Sequence, residues 1–183
     1  MSLSTLPDLS LSEWAVLALI AERPRHGFAI AKELASNAEI GQIFTVPRPV
    51  VYRALARLEQ DDLIYPVGTE PGDRGPARTR MAATEMGRAA VDRWLLTPVA
   101  HVRDLRTQLL LQFRLLDRLG RDLAPLAVVQ LEQLSPIVDA LRGQADAAIG
   151  FAALLARWRY EWAQAAARLL EGVAAGATPP ELE

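Results

Sequence analysis

Apolar residues recur at helical spacing along most of the chain, and two short β-type runs interrupt this pattern near its middle. Ser10 and Glu13 have capping-box spacing, which predicts that a first helix begins there and stops before Pro24. The pattern then predicts a turn over 25–27, a second helix over about 27–37, a loop over 38–49 and a third helix from Pro49. Strands over 63–67 and 78–83, joined by a loop over 68–77, lead into a fourth helix from Thr84 to near Pro98.

From Val99 onward the pattern predicts helices only. Apolar positions step by three and four from Val102 to Leu119, Pro125 opens a further helix, and Pro136 is expected to break or kink it. The last helix carries apolar residues at heptad spacing, namely Phe151, Leu155, Trp158, Trp162, Ala165 and Leu169. Such a seam must be covered by its own domain or by a partner chain, and we expect a homodimer. A disordered tail is expected from about residue 172.

The third predicted helix has two chemically different faces. Its apolar face consists of Val50, Val51, Ala54, Leu55 and Leu58, and its opposite face consists of Arg53, Ala56, Arg57 and Gln60. Forked arginine side chains without an acid on that face suit the DNA major groove, although an ordinary solvated face has the same pattern. The order helix, helix, helix, strand, basic loop, strand, helix is that of a winged helix-turn-helix, and it favours DNA binding.

The predicted DNA contacts lie on this helix, just ahead of it and on the hairpin, which would form the wing. Arg53 and Arg57 are candidates for base or phosphate contacts, and the alternative is a surface ion pair with Glu59 or Asp61. The Tyr52 hydroxyl suits a phosphate, while packing against the first helix is an equal alternative. The full predicted set is Arg48, Tyr52, Arg53, Arg57, Gln60, Arg74, Arg78 and Arg80.

The composition restricts the classes of function. The net charge of −2 does not indicate a nucleic-acid binder, but three arginines and one acid lie between Arg48 and Gln60, so basic charge is placed locally. The absence of cysteine excludes disulfides and thiolate metal sites. The longest apolar run, Trp14 to Ala21, is far shorter than the roughly 20 residues of a membrane span, so a soluble, cytoplasmic protein without a membrane partner is expected.

Catalytic and metal-binding motifs are not found in the sequence. The two histidines, His26 and His101, are far apart, and the spacing of a nucleophile elbow, a phosphate-binding loop or a zinc motif is missing. We therefore expect neither an enzyme nor a bound metal or cofactor. Aromatic and apolar residues that could instead line a ligand pocket or a dimer interface are Trp94, Phe151, Leu155, Trp158 and Trp162, although such a stripe is more often core.

The first 97 residues resemble the PadR family of bacterial transcriptional regulators. The resemblance is carried by Leu17-Ala18-Leu19-Ile20 with Pro24 and His26-Gly27-Phe28, by the helix segment Val51 to Glu59, by Leu63-Ile64, by Gly75 to Arg78 and by Thr84 to Arg88. Departures from the family pattern are Pro49, Val50, Asp62, Met81 and Ala83, and Val50 replaces a threonine that would contact phosphate.

The resemblance implies a mainly α fold with two domains. Residues 1–97 would form a winged helix-turn-helix of three helices, a β-hairpin wing and a linking helix, and residues 98–183 an all-α dimerisation domain. It also implies a homodimeric repressor that binds a palindromic operator in double-stranded DNA and is released by a small aromatic or hydrophobic effector. A winged-helix module that binds protein instead of DNA is the alternative, which the near-neutral charge and Val50 favour.

Overall fold

The computed structural model describes residues 6–72 and 75–176, with the backbone alone at 72, 75 and 76. Its contacts divide into two compact units. The first unit extends to Leu95 and includes Leu110–Leu115, and the second comprises Leu96–Leu109 and the chain from Leu116. Two contacts tie the 110–115 segment to the first unit: the Gln112 side-chain amide donates to the Trp94 carbonyl, at 2.6 Å, and Arg114 pairs with Glu39.

The first unit has the predicted winged helix-turn-helix fold. The three strands form one antiparallel sheet in the order β1-β3-β2, and the hairpin of β2 and β3 is the wing. The elements in chain order are α1 (Leu11–Glu22), β1 (Arg25–His26), α2 (Gly27–Glu33), α3 (Glu39–Ile43), α4 (Arg48–Gln60), β2 (Ile64–Gly72), β3 (Gly75–Ala83) and α5 (Glu85–Leu95).

Helix α1 forms the centre of this unit's core. Seven consecutive residues from Trp14 to Ile20 are buried, because α4, α5 and β3 pack around the helix. The predicted capping box is present: the Ser10 hydroxyl accepts from the Glu13 N–H, and the Glu13 carboxylate accepts from the Ser10 N–H at 2.6 Å. Trp14 stacks on Trp94 of α5, with ring centroids 5.1 Å apart and nearly parallel planes. The sequence thus predicted this element and its start correctly.

Four local predictions were wrong. The predicted loop over 38–49 contains α3. In this helix the Gly41 backbone lies so close to Ala35 that a Cβ on Gly41 would be 1.7 Å from the Ala35 carbonyl oxygen. The turn over 25–27 contains β1, which pairs with Arg80 and Met81 of β3. The strands extend into the predicted loop over 68–77, because β2 and β3 stay paired beyond an irregularity at Gly68, whose φ of +151° suits glycine. Helix α2 also ends earlier than predicted.

The second unit contains only helical segments among its described residues. A 3₁₀ turn (Val102–Asp104) and a π-helical turn (Leu105–Leu109) precede α6 (Leu110–Arg118), of which only the residues from Leu116 belong to this unit, and α7 (Ala124–Ala147) packs along α8 (Gly150–Ala174). The buried side-chain amide of Gln130 accepts from the Val99 N–H at 2.7 Å and donates to the Val99 carbonyl at 3.1 Å. This double hydrogen bond fixes the chain ahead of the 3₁₀ turn to α7.

Two predictions about the long helices need correction. Pro136 does not end α7, since this proline is exposed and solvent can satisfy the carbonyl that loses its helical partner. Helix α8 continues through Ala174, two residues beyond the predicted start of the tail, and is closed by Gly176 with φ +72°. Residues 177–183 lie outside the described residues. Within 6–72 and 75–176, no helix is both long and apolar enough to cross a bilayer.

Candidate nucleic-acid interface

Helix α4 presents the predicted polar face to solvent. Val51, Ala54 and Leu58 are buried in the first unit, and the predicted contact residues Arg53, Arg57 and Gln60, together with Ala56, are exposed. Pro49 occupies the first turn, where its missing N–H costs no hydrogen bond. One side of the helix therefore packs in the core of the first unit, and the other side is a surface that can contact another molecule.

Tyr52 and the start of α2 show how closely α2 and α4 approach. A Cβ on Gly27 would lie 2.9 Å from both the Tyr52 ring and the Leu55 side chain, so any larger residue here would force these side chains to shift. The preceding His26 caps α2, because its Nδ1 accepts from the Ala29 N–H at 3.1 Å. Tyr52 thus packs on the start of α2, and it remains 44% exposed.

Arg57 forms the ion pair that the sequence offered as the alternative to DNA contact. Its Nε donates to the Asp61 carboxylate at 2.7 Å, one helical turn away. The hydrogen bond to Asp61 and the charge of that carboxylate raise the pKa of Arg57 above its usual value. Both side chains are at the surface, so Asp61 competes with a phosphate or base for this guanidinium but does not bury it. No ion pair involves Arg53 in the part of the chain that the structure describes.

The wing arginines differ in their surroundings. Arg80 pairs with Glu70 of the neighbouring strand at 3.2 Å. The Arg78 guanidinium carbon instead lies 4.6 Å from the centroid of the Phe28 ring, and that of Arg48 lies 5.4 Å from the same centroid. Arg74 lies outside the described residues. The structure therefore brings Arg48 and Arg78 to one aromatic ring, and both line a cleft of about 560 Å³ together with Tyr52.

Phe28 lies beside these arginines but was not among the residues predicted from the sequence to contact DNA. Its side chain is 41% exposed, which is high for a phenylalanine. Phe28 directly follows Gly27, which lies against α4. An aromatic residue at this position could have indicated a side chain near the contact between α2 and α4. Its arginine neighbours come from α4 and β3, which the sequence alone could not bring together.

The predicted ligand or dimer residues separate into two groups. Trp94 is 2% exposed and stacked on Trp14, so it belongs to the core of the first unit and offers no surface for a ligand or partner. The residues on α8 are at the surface instead, with Trp162 partly buried. We call the exposed large residues of this helix the apolar stripe; they are Phe151 (78% exposed), Leu154 (65%), Leu155 (40%), Trp158 (71%) and Leu169 (50%).

The apolar stripe lies on a different face from the one that packs on α7. That inner face consists of Ala156, Tyr160, Ala163 and Leu170. A groove of about 470 Å³ runs beside the stripe, lined by Val102, Arg103, Ile137, Leu141, Leu155, Trp158, Arg159 and Trp162. In the described ranges, no group of three or more histidine, aspartate or glutamate side chains is arranged to hold a metal ion.

A family model and several solved structures are similar to this chain. The model of the Transcriptional regulator PadR-like family matches residues 16–93, which run from α1 into α5. Among curated proteins no match was found. Similar solved structures include Bacillus subtilis PadR in complex with operator DNA (18% identity, 92% of this chain and 100% of that chain, TM-score 0.47). The same protein in complex with p-coumaric acid (16%, 92% and 98%, 0.40) and a PadR-like transcriptional regulator from Bacillus cereus (16%, 91% and 97%, 0.39) are also similar.

The family match covers the unit that carries α4 and the wing, and it agrees with the mainly helical fold and its small antiparallel sheet. Members of this family are transcriptional regulators and not enzymes. Over residues 16–93, within its winged-helix unit, the chain matches the PadR-like family of transcriptional regulators.

Proposed function

We propose that this protein is a homodimeric repressor that binds a palindromic operator in double-stranded DNA. The observation that carries the proposal is the exposed face of α4, on which Arg53, Arg57 and Gln60 stand clear of the core. Arginine forks match the acceptor pairs of guanine and the oxygens of phosphate, and glutamine matches adenine. In a winged helix this is the face that enters the major groove. As a regulator of this kind it would act on DNA in the cytoplasm.

The wing and the start of α4 would supply the contacts to the DNA backbone. Arg48 and Arg78 make cation–π contacts and no ion pair among the described residues, so their N–H donors remain available for phosphate oxygens. Arg80 would have to share its guanidinium with Glu70. Such contacts position the protein on the duplex, and the α4 side chains would then read the sequence.

A second copy of the chain is the proposed occupant of the apolar stripe. Four of its five residues, Phe151, Leu155, Trp158 and Leu169, follow heptad spacing along α8, and the exposed fractions of all five together equal about three fully exposed side chains. Exposed apolar surface of this extent is typical of an interface, and a helix with heptad spacing is complementary to a copy of itself. A symmetric dimer would carry two copies of α4, which matches the symmetry of a palindrome with half-sites about 34 Å apart.

A small hydrophobic or aromatic effector would bind in the groove beside the stripe. Trp158 and Trp162 offer aromatic surface there, and Arg103 and Arg159 add positive charge at its rim. The groove's 470 Å³ is within the usual range for a small-molecule site. A ligand that favours one dimer geometry over another would lower operator affinity by its difference in affinity for the two states.

Selection from a library of random duplexes tests this function. The full-length protein should enrich an inverted repeat with half-sites about one helical turn apart, and its affinity should fall steeply as salt rises. Enrichment of single sites would remove the dimeric part of the proposal. Binding that is weak and salt-independent for every duplex would support the alternative, a winged-helix module for protein partners. The observation that favours this alternative is that Arg57 and Arg80 each form an ion pair with an acidic residue.

A further inference from the structure

Phe28 is a surface aromatic residue with arginines from two different elements around its ring. It is the second residue of α2 and is 41% exposed. Arg48, from the first turn of α4, and Arg78, from strand β3 of the wing, have their guanidinium carbons 5.4 Å and 4.6 Å from the ring centroid. These distances are within the range of cation–π attraction, which extends to about 6 Å. Arg48 also lies 5.6 Å from the Tyr52 ring.

This arrangement brings two arginines to one ring, and neither of them forms an ion pair among the described residues. Because the guanidinium carbons of Arg48 and Arg78 lie 5.4 Å and 4.6 Å from the same ring centroid, they are at most 10.0 Å apart. An ion pair would occupy the N–H donors of an arginine, as Asp61 does for Arg57. The face of an aromatic ring attracts a guanidinium group without accepting hydrogen bonds from its N–H donors. These donors therefore remain available to an anion. The ring can therefore order both side chains while their hydrogen-bonding capacity is kept.

We propose that Phe28 is a positioning residue for DNA binding, which holds Arg48 of α4 and Arg78 of the wing in one phosphate-binding surface. This inference rests on the proposed DNA-binding function. Free arginine side chains lose rotamer freedom when they bind phosphate, and the Phe28 ring removes much of that freedom before DNA arrives. Because α4 and the wing approach the duplex at different places, the ring also couples their contacts.

The experiment compares Phe28→Leu with Phe28→Tyr in the full-length protein. The probe is a random-sequence duplex of about 30 base pairs at low salt, since phosphate contacts do not depend on sequence. Phe28→Leu keeps an apolar side chain but removes the ring, and should weaken binding by roughly 5- to 20-fold, as expected for two exposed cation–π contacts. Phe28→Tyr keeps the ring, and the partly exposed site leaves room for its hydroxyl, so binding should stay within about twofold of the original.

A double-mutant cycle separates positioning from general packing. If Phe28 acts through the arginines, Phe28→Leu should have no further effect in a chain that already carries Arg48→Ala and Arg78→Ala. The slope of log affinity against log salt should also become shallower in Phe28→Leu, by about 0.9 for each phosphate that the variant no longer neutralises. Tyr65→Leu is the matched control, because Tyr65 is a wing aromatic of similar exposure (47%) without a described arginine contact.

Each outcome has one meaning. Equal binding by Phe28→Leu and the original chain, or the same weakening with and without the two arginines, would overturn the positioning role. If the original chain itself fails to bind the duplex, the proposed function fails first. Circular dichroism establishes that each variant is folded, and Phe28→Met, which also lacks the ring, replaces Phe28→Leu if the leucine variant is not.

Discussion

Trp158 on the apolar stripe offers a direct test of self-association. Its side chain is 71% exposed in the single chain, so Trp158→Ala should not disturb folding. A tryptophan can bury about 200 Å², and coverage of the exposed part would remove roughly 140 Å² from water. At about 25 cal/mol per Å², that burial contributes about 3.5 kcal/mol per chain. Two-fold symmetry doubles the contribution, because the substitution is present in both copies.

The expected result is a large loss of dimer affinity. Interface area converts only partly into affinity, yet losing even half of the roughly 7 kcal/mol for both chains weakens the dissociation constant more than about a hundredfold. Sedimentation equilibrium from about 0.1 to 100 μM would measure this change, since that range spans common dimer affinities. Met86→Ala is the control, because Met86 is 54% exposed but belongs to α5 of the first unit and is not a stripe residue.

Two results would refute the reasoning. The original chain could sediment as a monomer across the whole concentration range, in which case the stripe has no second copy as its occupant. Alternatively, Trp158→Ala could leave the dissociation constant unchanged within about twofold, which would mean that any dimer forms through another surface.

Other predictions concern the interface and the cores of the two units. Asp61→Asn should strengthen binding to a DNA duplex several-fold, because it frees the Arg57 guanidinium. In a chain with Arg57→Ala the same change should have no effect on binding, and gel-shift titrations would measure both affinities. Trp94→Ala should lower the free energy of unfolding by about 3–5 kcal/mol in urea denaturation, and a much smaller decrease would contradict its core position. Gln130→Leu should cost about 1–3 kcal/mol in thermal unfolding, because both polar groups of Val99 lose their partner; an unchanged melting temperature would mean that water replaces the amide.

Elements with strong local signals were predictable from the sequence. The start of α1 is encoded by the Ser10–Glu13 capping box, and α5 begins where Thr84 accepts from the Gly87 N–H at 3.0 Å. The two faces of α4 follow from its periodicity alone. Strand β1 was not predictable, because two residues become a strand only by pairing with Arg80 and Met81, more than 50 positions later.

The candidate sites were predictable only in part. Heptad spacing identified the apolar residues of α8, but spacing cannot tell which of two apolar faces packs within the chain. The structure places small residues, Ala156 and Ala163, against α7, where they allow close helix packing, and leaves Phe151 and Trp158 outside. The ring of Phe28 meets arginines from two other elements, so its role follows from the fold and not from any local pattern.

Operator binding by a chain that carries both Arg53→Ala and Arg57→Ala tests the central claim most directly. The comparison uses the duplex enriched from the random library, with Arg106→Ala, an exposed arginine of the second unit, as the control. If α4 reads DNA, the double variant should bind the operator at least about tenfold more weakly and lose most of its preference over random duplex, while the control binds like the original chain. Unchanged affinity and preference in the double variant would contradict the account, because the exposed face of α4 would then not be the surface that reads DNA.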